Sequence, residues 1–289
     1  MRVRQKLMTR FSDLISQAIL EVAGDAATLQ ATVTEDWLQG KAPYGGLQGA
    51  IGTRAMRAAV GDAAPMLRAL QTTFVAAAEP GPLRAVARVV RRGRAITHAQ
   101  CTLETRAGTM AILVGMFGEP RTSEAVVPMP MPADLKPPDA LREAPYMPAA
   151  MPGFLRHFRQ RWATGTIPYT GQPYRPSAMW ARLRDASPDE GEPPDAYRDP
   201  ALREAALVAL TDMPPSPAIA MLSRRAPGAS LTWLLEPLAD ARTVDPSDWV
   251  LMAIETRHAA DGYTSQTARM WNPRGEPVAV SHQTTAIFG

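Results

Sequence analysis

The sequence is poor in cysteine and has no long apolar run. Its one cysteine, Cys101, cannot form an internal disulfide, and a metal site would need other ligands. A small buried strand residue in a reduced, cytoplasmic protein is the interpretation that fits. No apolar stretch reaches the roughly 18 residues that a membrane-spanning helix needs. The basic segment Met1–Arg10 leads into the amphipathic stretch 11–20, which does not favour a signal peptide.

Several functional signatures are also missing. The net charge is only +3, and arginines are scattered without a Lys/Arg block, so nucleic-acid binding is not indicated. A P-loop and a Gly-x-Ser-x-Gly motif are both absent, which gives no support to a nucleoside triphosphatase or an α/β serine hydrolase. Four histidines lack metal-ligand spacing: His98, His157, His258 and His282. A mildly basic surface would still suit an anionic ligand.

Proline divides the chain. Eight prolines lie between positions 128 and 152, and this density excludes regular helix or sheet interiors. We predict a connection over residues 119–170 that lies along the surface. Four apolar residues are its expected anchors: Met129, Met131, Tyr146 and Met147. The flanking segments, 1–118 and 171–289, are predicted to be two domains.

The two flanking segments show the same order of elements. In the first, a helix is predicted over 47–60, between a strand at 28–34 and strands at 70–77, 83–90, 96–104 and 109–117. In the second, a helix at 200–210, capped by Asp199, lies between a strand at 177–183 and strands at 229–235, 249–256, 263–271 and 277–288. Matching positions include Gly108 with Gly275 and Phe117 with Phe288. The repeat predicts a two-layer α+β architecture, with one helix against a sheet in each half.

Motifs in both halves resemble a known family. They are Tyr44-Gly45-Gly46, the run 70–74, Arg91-Arg92-Gly93-Arg94, Phe117, Asp212, Ser230-Leu231-Thr232, Trp249-Val250-Leu251, Gly262-Tyr263 and Val280-Ser281-His282-Gln283. Together they resemble the type II acyl-CoA thioesterases over nearly the whole chain apart from the proline-rich connection. The resemblance implies a double hotdog fold, in which each half is a helix wrapped by an antiparallel sheet.

The resemblance also implies a catalytic set in the C-terminal half. An aspartate, a hydroxyl residue and a glutamine hold the attacking water in this family. The aspartate corresponds to Asp212 and the glutamine to Gln283, whereas the hydroxyl is either Ser230 or Thr232. Thr232 stands where the family has an aspartate, and period-two alternation places its side chain on the same face as that of Ser230. No metal or redox cofactor is implied.

Each of these residues also has an ordinary interpretation. Asp212 could be a solvated loop acid, and Gln283 could face solvent with its polar neighbours of the same parity. Gly45 and Gly46 could form only a tight turn, or their amides could stabilise an oxyanion. In the first half, Asp62 is read as an exposed turn residue. Counting back from the closing phenylalanine places Ile112 opposite Gln283 in the repeat, so one catalytic site per chain is expected.

Two functions remain open at this point. The first is hydrolysis of an acyl-CoA thioester by activated water. The second is an acyl-CoA-binding or specialised-metabolite hotdog without turnover, suggested by the missing aspartate after Leu231. A hotdog hydratase lacks a suitable Asp and His pair. We expect an acyl-CoA substrate, a role in lipid metabolism and a homodimer or larger homo-oligomer, since hotdog sheets are seldom left unpaired.

Overall fold

A computed structural model of the chain describes residues 8–61 and 63–288. The elements of the first half are α1 (Phe11–Ser16), β1 (Ile19–Ala23), β2 (Ala26–Val33), the short β3 (Leu38–Gln39) and β4 (Ala42–Pro43), α2 (Gly45–Val60), β5 (Leu67–Phe74), β6 (Gly81–Arg92), β7 (Ile96–Thr105) and β8 (Gly108–Gly118). Those of the second are β9 (Phe158–Thr164), β10 (Ser177–Leu183), α3 (Pro200–Thr211), β11 (Gly228–Pro237), β12 (Val250–Ala260), β13 (Tyr263–Trp271) and β14 (Pro277–Ile287).

The two halves share one twelve-stranded antiparallel sheet. Its order is β1-β2-β6-β7-β8-β5-β11-β14-β13-β12-β10-β9. The halves join where β5 pairs with β11, over Leu70–Thr73 and Thr232–Leu235. Neither half therefore leaves its central edge strand open to pairing with another chain.

The helices α2 and α3 pack against each other on the inner side of this sheet. Small residues permit the close approach: a Cβ added at Gly49 would lie 2.5 Å from the Trp233 ring, and one at Gly52 would lie 2.6 Å from Leu113. Asp199 caps α3 by accepting a hydrogen bond of 2.9 Å from the Ala201 amide. These contacts explain the small residues of α2, because a larger side chain would separate the helix from the sheet.

A buried ion pair links the two helices. Arg57 of α2 donates to Glu204 of α3 at 2.7 and 2.8 Å, and both side chains are fully buried. The remaining guanidinium nitrogen donates to the carbonyls of Ala64 and Pro65. Because both charges are paired and hydrogen-bonded, the desolvation that burial imposes is largely offset, and the pair fixes the register of α2 against α3.

The proline-rich connection covers the outer face of the second half. Trp180 donates to the Lys136 carbonyl at 3.0 Å and Trp271 to the Met129 carbonyl at 2.7 Å. Met129 and Met131 pack against the buried cluster that contains Trp180, Trp249 and Trp271, as predicted. Met147 is 49% exposed and is not an anchor, so that prediction was wrong. Residues 119–152 contain no α-helix or strand, and β9 begins only after the last of the eight prolines.

Most predicted elements are confirmed, but two features of the sheet differ. The strand after α2, β5, lies between β8 and β11 and does not pair with β6, the next strand along the chain, as a simple succession of hairpins would require. The edge strands β1 and β9 were not predicted, because both are short and partly exposed. Cys101 is buried in β7, as expected. No helix among the described residues is both long and apolar enough to cross a membrane.

Candidate active site

Asp212 lies where the first turn of α2 packs beside the end of α3. It is the first residue after α3, and only 8% of it is exposed. The first turn of α2, from the other half of the chain, lies against it: a Cβ added at Gly45 would be 2.7 Å from Oδ2 of Asp212. Asp212 is therefore a buried carboxylate beside the positive end of α2, and not a solvated loop acid.

A chain of side-chain hydrogen bonds leads from Asp212 into the sheet. The Gln283 amide of β14 donates from Nε2 to Oδ1 of Asp212. Gln266 of β13 donates from Nε2 to Oε1 of Gln283 at 2.8 Å. Both glutamines are buried, with 8% and 6% of their surface exposed. Gln283 thus faces inward and not toward solvent.

The surroundings of Asp212 shift its acidity into the neutral range. Burial raises the pKa of this carboxyl to about 7, against opposing hydrogen bonds from Gln283 and from the Gly46 amide, which lower it. Near neutral pH the group therefore exists in both protonation states. A carboxylate with this pKa is suited to accept a proton from water.

Glycine is required at the start of α2 for steric reasons. A Cβ at Gly45 would clash with Asp212 and would also lie 2.9 Å from the Phe74 ring. A Cβ at Gly46 would lie 2.5 Å from the carbonyl oxygen of Ala209. Tyr44, just before them, donates to the same carbonyl at 2.7 Å. The two glycines bring the amides of α2 within reach of the carboxylate.

A β-bulge separates the two candidate hydroxyls. In the pairing of β11 with β14, Trp233 lies opposite Gln283 and Thr232 opposite Thr284, but Ser230 lies opposite Thr285. The extra residue, Leu231, places Ser230 on the face that carries Gln283 and Thr232 on the other face. Thr232 is exposed and Ser230 half-buried. The prediction that both share a face was wrong, because period-two counting fails across a bulge.

Two neighbouring rows of inward-facing residues therefore cross three strands. One runs from Ser230 through Thr285 to Thr264. Within it, the hydroxyls of Thr285 and Thr264 are hydrogen-bonded to each other. The next runs from Trp233 through Gln283 to Gln266. The Cα atoms of Gln283 and Thr285 are about 7 Å apart in a regular strand. Ser230 therefore lies one row away from Gln283, on the same face of the sheet.

Gln266 was missed in the sequence because its face depends on a second irregularity. The β13–β14 register shifts by one residue between Met270 and Trp271. Counting back from the turn at 272–275 without that shift would pair Gln266 with His282, on the opposite face. The short polar run Thr264-Ser265-Gln266-Thr267 gave no apolar alternation to reveal the correct face.

The structure also corrects the predicted counterpart of Gln283 in the first half. Ile112 is 38% exposed and faces outward, whereas the adjacent Leu113 is fully buried against α2. The two closing phenylalanines are not equivalent, because Phe117 is buried within β8 whereas Phe288 is exposed beyond β14. The inward residue at this level of the first half is Leu113. Asp62 lies outside the described residues.

No group of three or more potential metal-ligating side chains occurs among residues 8–61 and 63–288. The one buried histidine, His157, contacts Asp36 at 3.1 Å and stacks on Trp37 with ring centroids 3.8 Å apart. This contact holds the segment before β9 against the first half, away from Asp212.

Two family models cover most of the chain. The acyl-CoA thioesterase N-terminal domain matches residues 33–118 and the acyl-CoA thioesterase C-terminal domain matches residues 128–287. The chain belongs to the acyl-CoA thioesterase family. The N-terminal match includes Gly45 and Gly46, and the C-terminal match includes Asp212, Ser230, Gln266 and Gln283.

Solved structures agree with the family on the fold. A hot dog fold protein of unknown function from Alicyclobacillus acidocaldarius is 21% identical, with a TM-score of 0.79 and coverage of 98% of this chain and 99% of that one. The tesB protein of Mycobacterium avium subspecies paratuberculosis is 19% identical (TM-score 0.71; 96% and 100% covered). The acyl-CoA thioesterase II TesB2 of Mycobacterium marinum is 17% identical (TM-score 0.69; 94% and 96% covered). No curated protein matches this chain. The double hotdog prediction is confirmed.

Proposed function

We propose that this protein hydrolyses an acyl-CoA, or a related acyl thioester, to the free acid and the thiol. The observation that carries the proposal is a buried carboxylate, Asp212, whose pKa is raised to about 7 by burial, placed at the start of α2 and oriented by Gln283. Membership of the acyl-CoA thioesterase family supplies the substrate class.

The chemistry assigns one role to each group. Ionised Asp212 and the hydroxyl of Ser230 hold a water molecule, and Asp212 accepts its proton as the water oxygen attacks the thioester carbonyl. The positive end of α2 and the amides of Gly45 and Gly46 stabilise the negative charge on the carbonyl oxygen. Collapse of the tetrahedral intermediate breaks the C–S bond, and the leaving thiolate takes up a proton.

The inward position of Ser230 also favours turnover over binding alone. The residue that replaces the family's aspartate, Thr232, is exposed on the far face of the sheet. That replacement therefore lies outside the proposed catalytic set of Asp212, Gln283 and Ser230. The reason for expecting a binding protein without turnover is thereby weakened.

A panel of acyl-CoA substrates, from acetyl-CoA to palmitoyl-CoA, tests the proposal by detection of released thiol. Cys101 should give little background, because burial raises its pKa to about 12. We expect thiol release with at least one chain length, and loss of most of that release in the Asp212→Asn protein. A thermal shift with acyl-CoA but no thiol release at any chain length would instead identify a binding protein.

The two hydroxyls can be separated by single substitutions. We expect Ser230→Ala to lower kcat by about 10- to 100-fold, as for loss of one positioned hydrogen-bonding group. Thr232→Val keeps a β-branched residue on the exposed face and should leave kcat within about twofold, since surface changes are usually small. Steady-state kinetics of the two variants side by side provide the measurement. Loss of activity in Thr232→Val alone would show that the bulge does not determine the catalytic hydroxyl.

A further inference from the structure

We propose that Gln266 is a positioning residue for the catalytic amide, acting on Asp212 through Gln283. This inference rests on the proposed function, because it assigns Gln266 to the same reaction. Gln266 lies opposite Gln283 in the β13–β14 ladder and donates to its Oε1 at 2.8 Å.

The orientation of Gln283 depends on this bond. An ionised carboxylate only accepts hydrogen bonds, so Gln283 must present its NH₂ group to Asp212. Its carbonyl oxygen then points the opposite way, into the buried sheet face, where it needs a donor. Gln266 Nε2 is that donor. Without it, the Gln283 amide could rotate and place its oxygen against the Asp212 carboxylate.

A second observation indicates that Gln266 is not there for stability. Its own Oε1 atom is buried and has no hydrogen-bond partner, and only 6% of the residue is exposed. An unpartnered buried acceptor destabilises a fold, and an apolar residue at this position would avoid that cost. The neighbouring inward side chain on β12, Thr256, is already bonded to Ser216 and the Ala218 amide. The bond that its NH₂ group donates to Gln283 gives a glutamine at this position a role that an apolar residue could not fill.

The bond should also affect the acidity of Asp212. The hydrogen bond from Gln283 opposes the effect of burial on the pKa of Asp212, together with the Gly46 amide. The ionisable side chain that senses the charge of Asp212 is Tyr44, whose own pKa is raised by burial and then by that charge. Loosening Gln283 should therefore raise the pKa of Asp212 further.

The test is a double-substitution cycle in the full-length protein. Gln266→Met keeps the side-chain volume but cannot donate, and we expect it to lower kcat by about 10-fold with KM nearly unchanged. In a Gln283→Met background the same change should have almost no further effect, since its action passes through Gln283. Gln266→Leu also cannot donate and is the second variant should Gln266→Met unfold; we expect the same loss of kcat and the same lack of effect in the Gln283→Met background. Gln160→Met, another buried glutamine in the distant strand β9, is the matched control and should keep full activity.

A readout independent of hydrolysis separates this proposal from the proposed function. The pH dependence of unfolding, measured relative to Asp212→Asn, reports the pKa of Asp212 without substrate. We expect that pKa to rise in Gln266→Met. An inactive wild-type protein with this upward shift would overturn the hydrolase proposal but keep the positioning role. An unchanged pKa, or activity losses that simply multiply in the double variant, would overturn the role of Gln266.

Discussion

Asp212→Asn is expected to abolish most thioester hydrolysis and, at the same time, to make the protein more stable above pH 7. Removing a general base of this kind lowers kcat by about 10²- to 10⁴-fold. The asparagine keeps the size of the side chain at a position where only 8% is exposed, so the packing around the start of α2 should survive. Steady-state kinetics with an acyl-CoA substrate measure the first effect.

The gain in stability follows from the sign of the pKa shift. Below about pH 4, Asp212 is protonated in both the folded and the unfolded chain and contributes nothing. As the pH rises from there, the unfolded chain loses this proton first, so stability falls until the folded-state pKa of about 7 is passed. Once Asp212 is fully ionised, the free energy of unfolding is lower by about 4 kcal/mol, at about 1.4 kcal/mol per pKa unit. Denaturant unfolding of Asp212→Asn and wild type at pH 5 and pH 8 should show this difference mainly at the higher pH.

The same shift predicts the pH–rate profile of the wild-type enzyme. Since the ionised carboxylate is the active form, kcat/KM should rise with pH and level off above an apparent pKa of about 7. Activity that is flat down to pH 5, together with no pH-dependent gain of stability in Asp212→Asn, would show that Asp212 is an ordinary acid and that another residue activates the water.

The local elements were predictable because they depend on short-range patterns. The helical spacing of apolar residues in α2, the Asp199 cap and the turn at 272–275 each depend on residues within a few positions of one another. The sheet order was less accessible. The position of β5 depends on pairing with β8, whose partner residues are 37 to 50 positions away, and with β11, whose partner residues are more than 150 positions away, and the sequence carries no local signal for either.

The composition of the site was predictable only where the faces of its strands followed simple alternation. A bulge after Ser230 and a register shift after Met270 each change the face of every residue beyond them. These irregularities brought Ser230 and Gln266 inward and left Thr232 outside. Both depend on how two strands pair, so one strand read alone cannot reveal them.

The site belongs to both halves even though its reactive side chains come from one. Asp212 and Gln283 belong to the second half, but the glycines against the carboxylate begin α2 of the first. The buried pair Arg57 and Glu204 fixes one helix against the other farther along the same interface. A change in how the halves pack would therefore alter the surroundings of Asp212, and with them its pKa.

The asymmetry between the halves gives the last prediction. Gln283→Met should lower kcat by about 10²- to 10³-fold, as for other catalytic hydrogen-bond donors, and should leave the fold intact. It should also raise the apparent pKa of Asp212, because a hydrogen bond that lowers this pKa is lost. The acid limb of the pH–rate profile would then move to higher pH, which a purely structural defect would not cause.

Two substitutions in the first half are the controls for this prediction. Leu113 is fully buried, so Leu113→Ala should destabilise the fold by about 2–5 kcal/mol through the cavity it leaves. Ile112 faces outward, so Ile112→Ala should change stability by only about 0.5 kcal/mol. Neither should alter kcat per folded molecule, measured alongside denaturant unfolding. If Leu113→Ala abolished turnover in a protein that remained folded, while Gln283→Met did not, the reactive residues would have to lie in the first half.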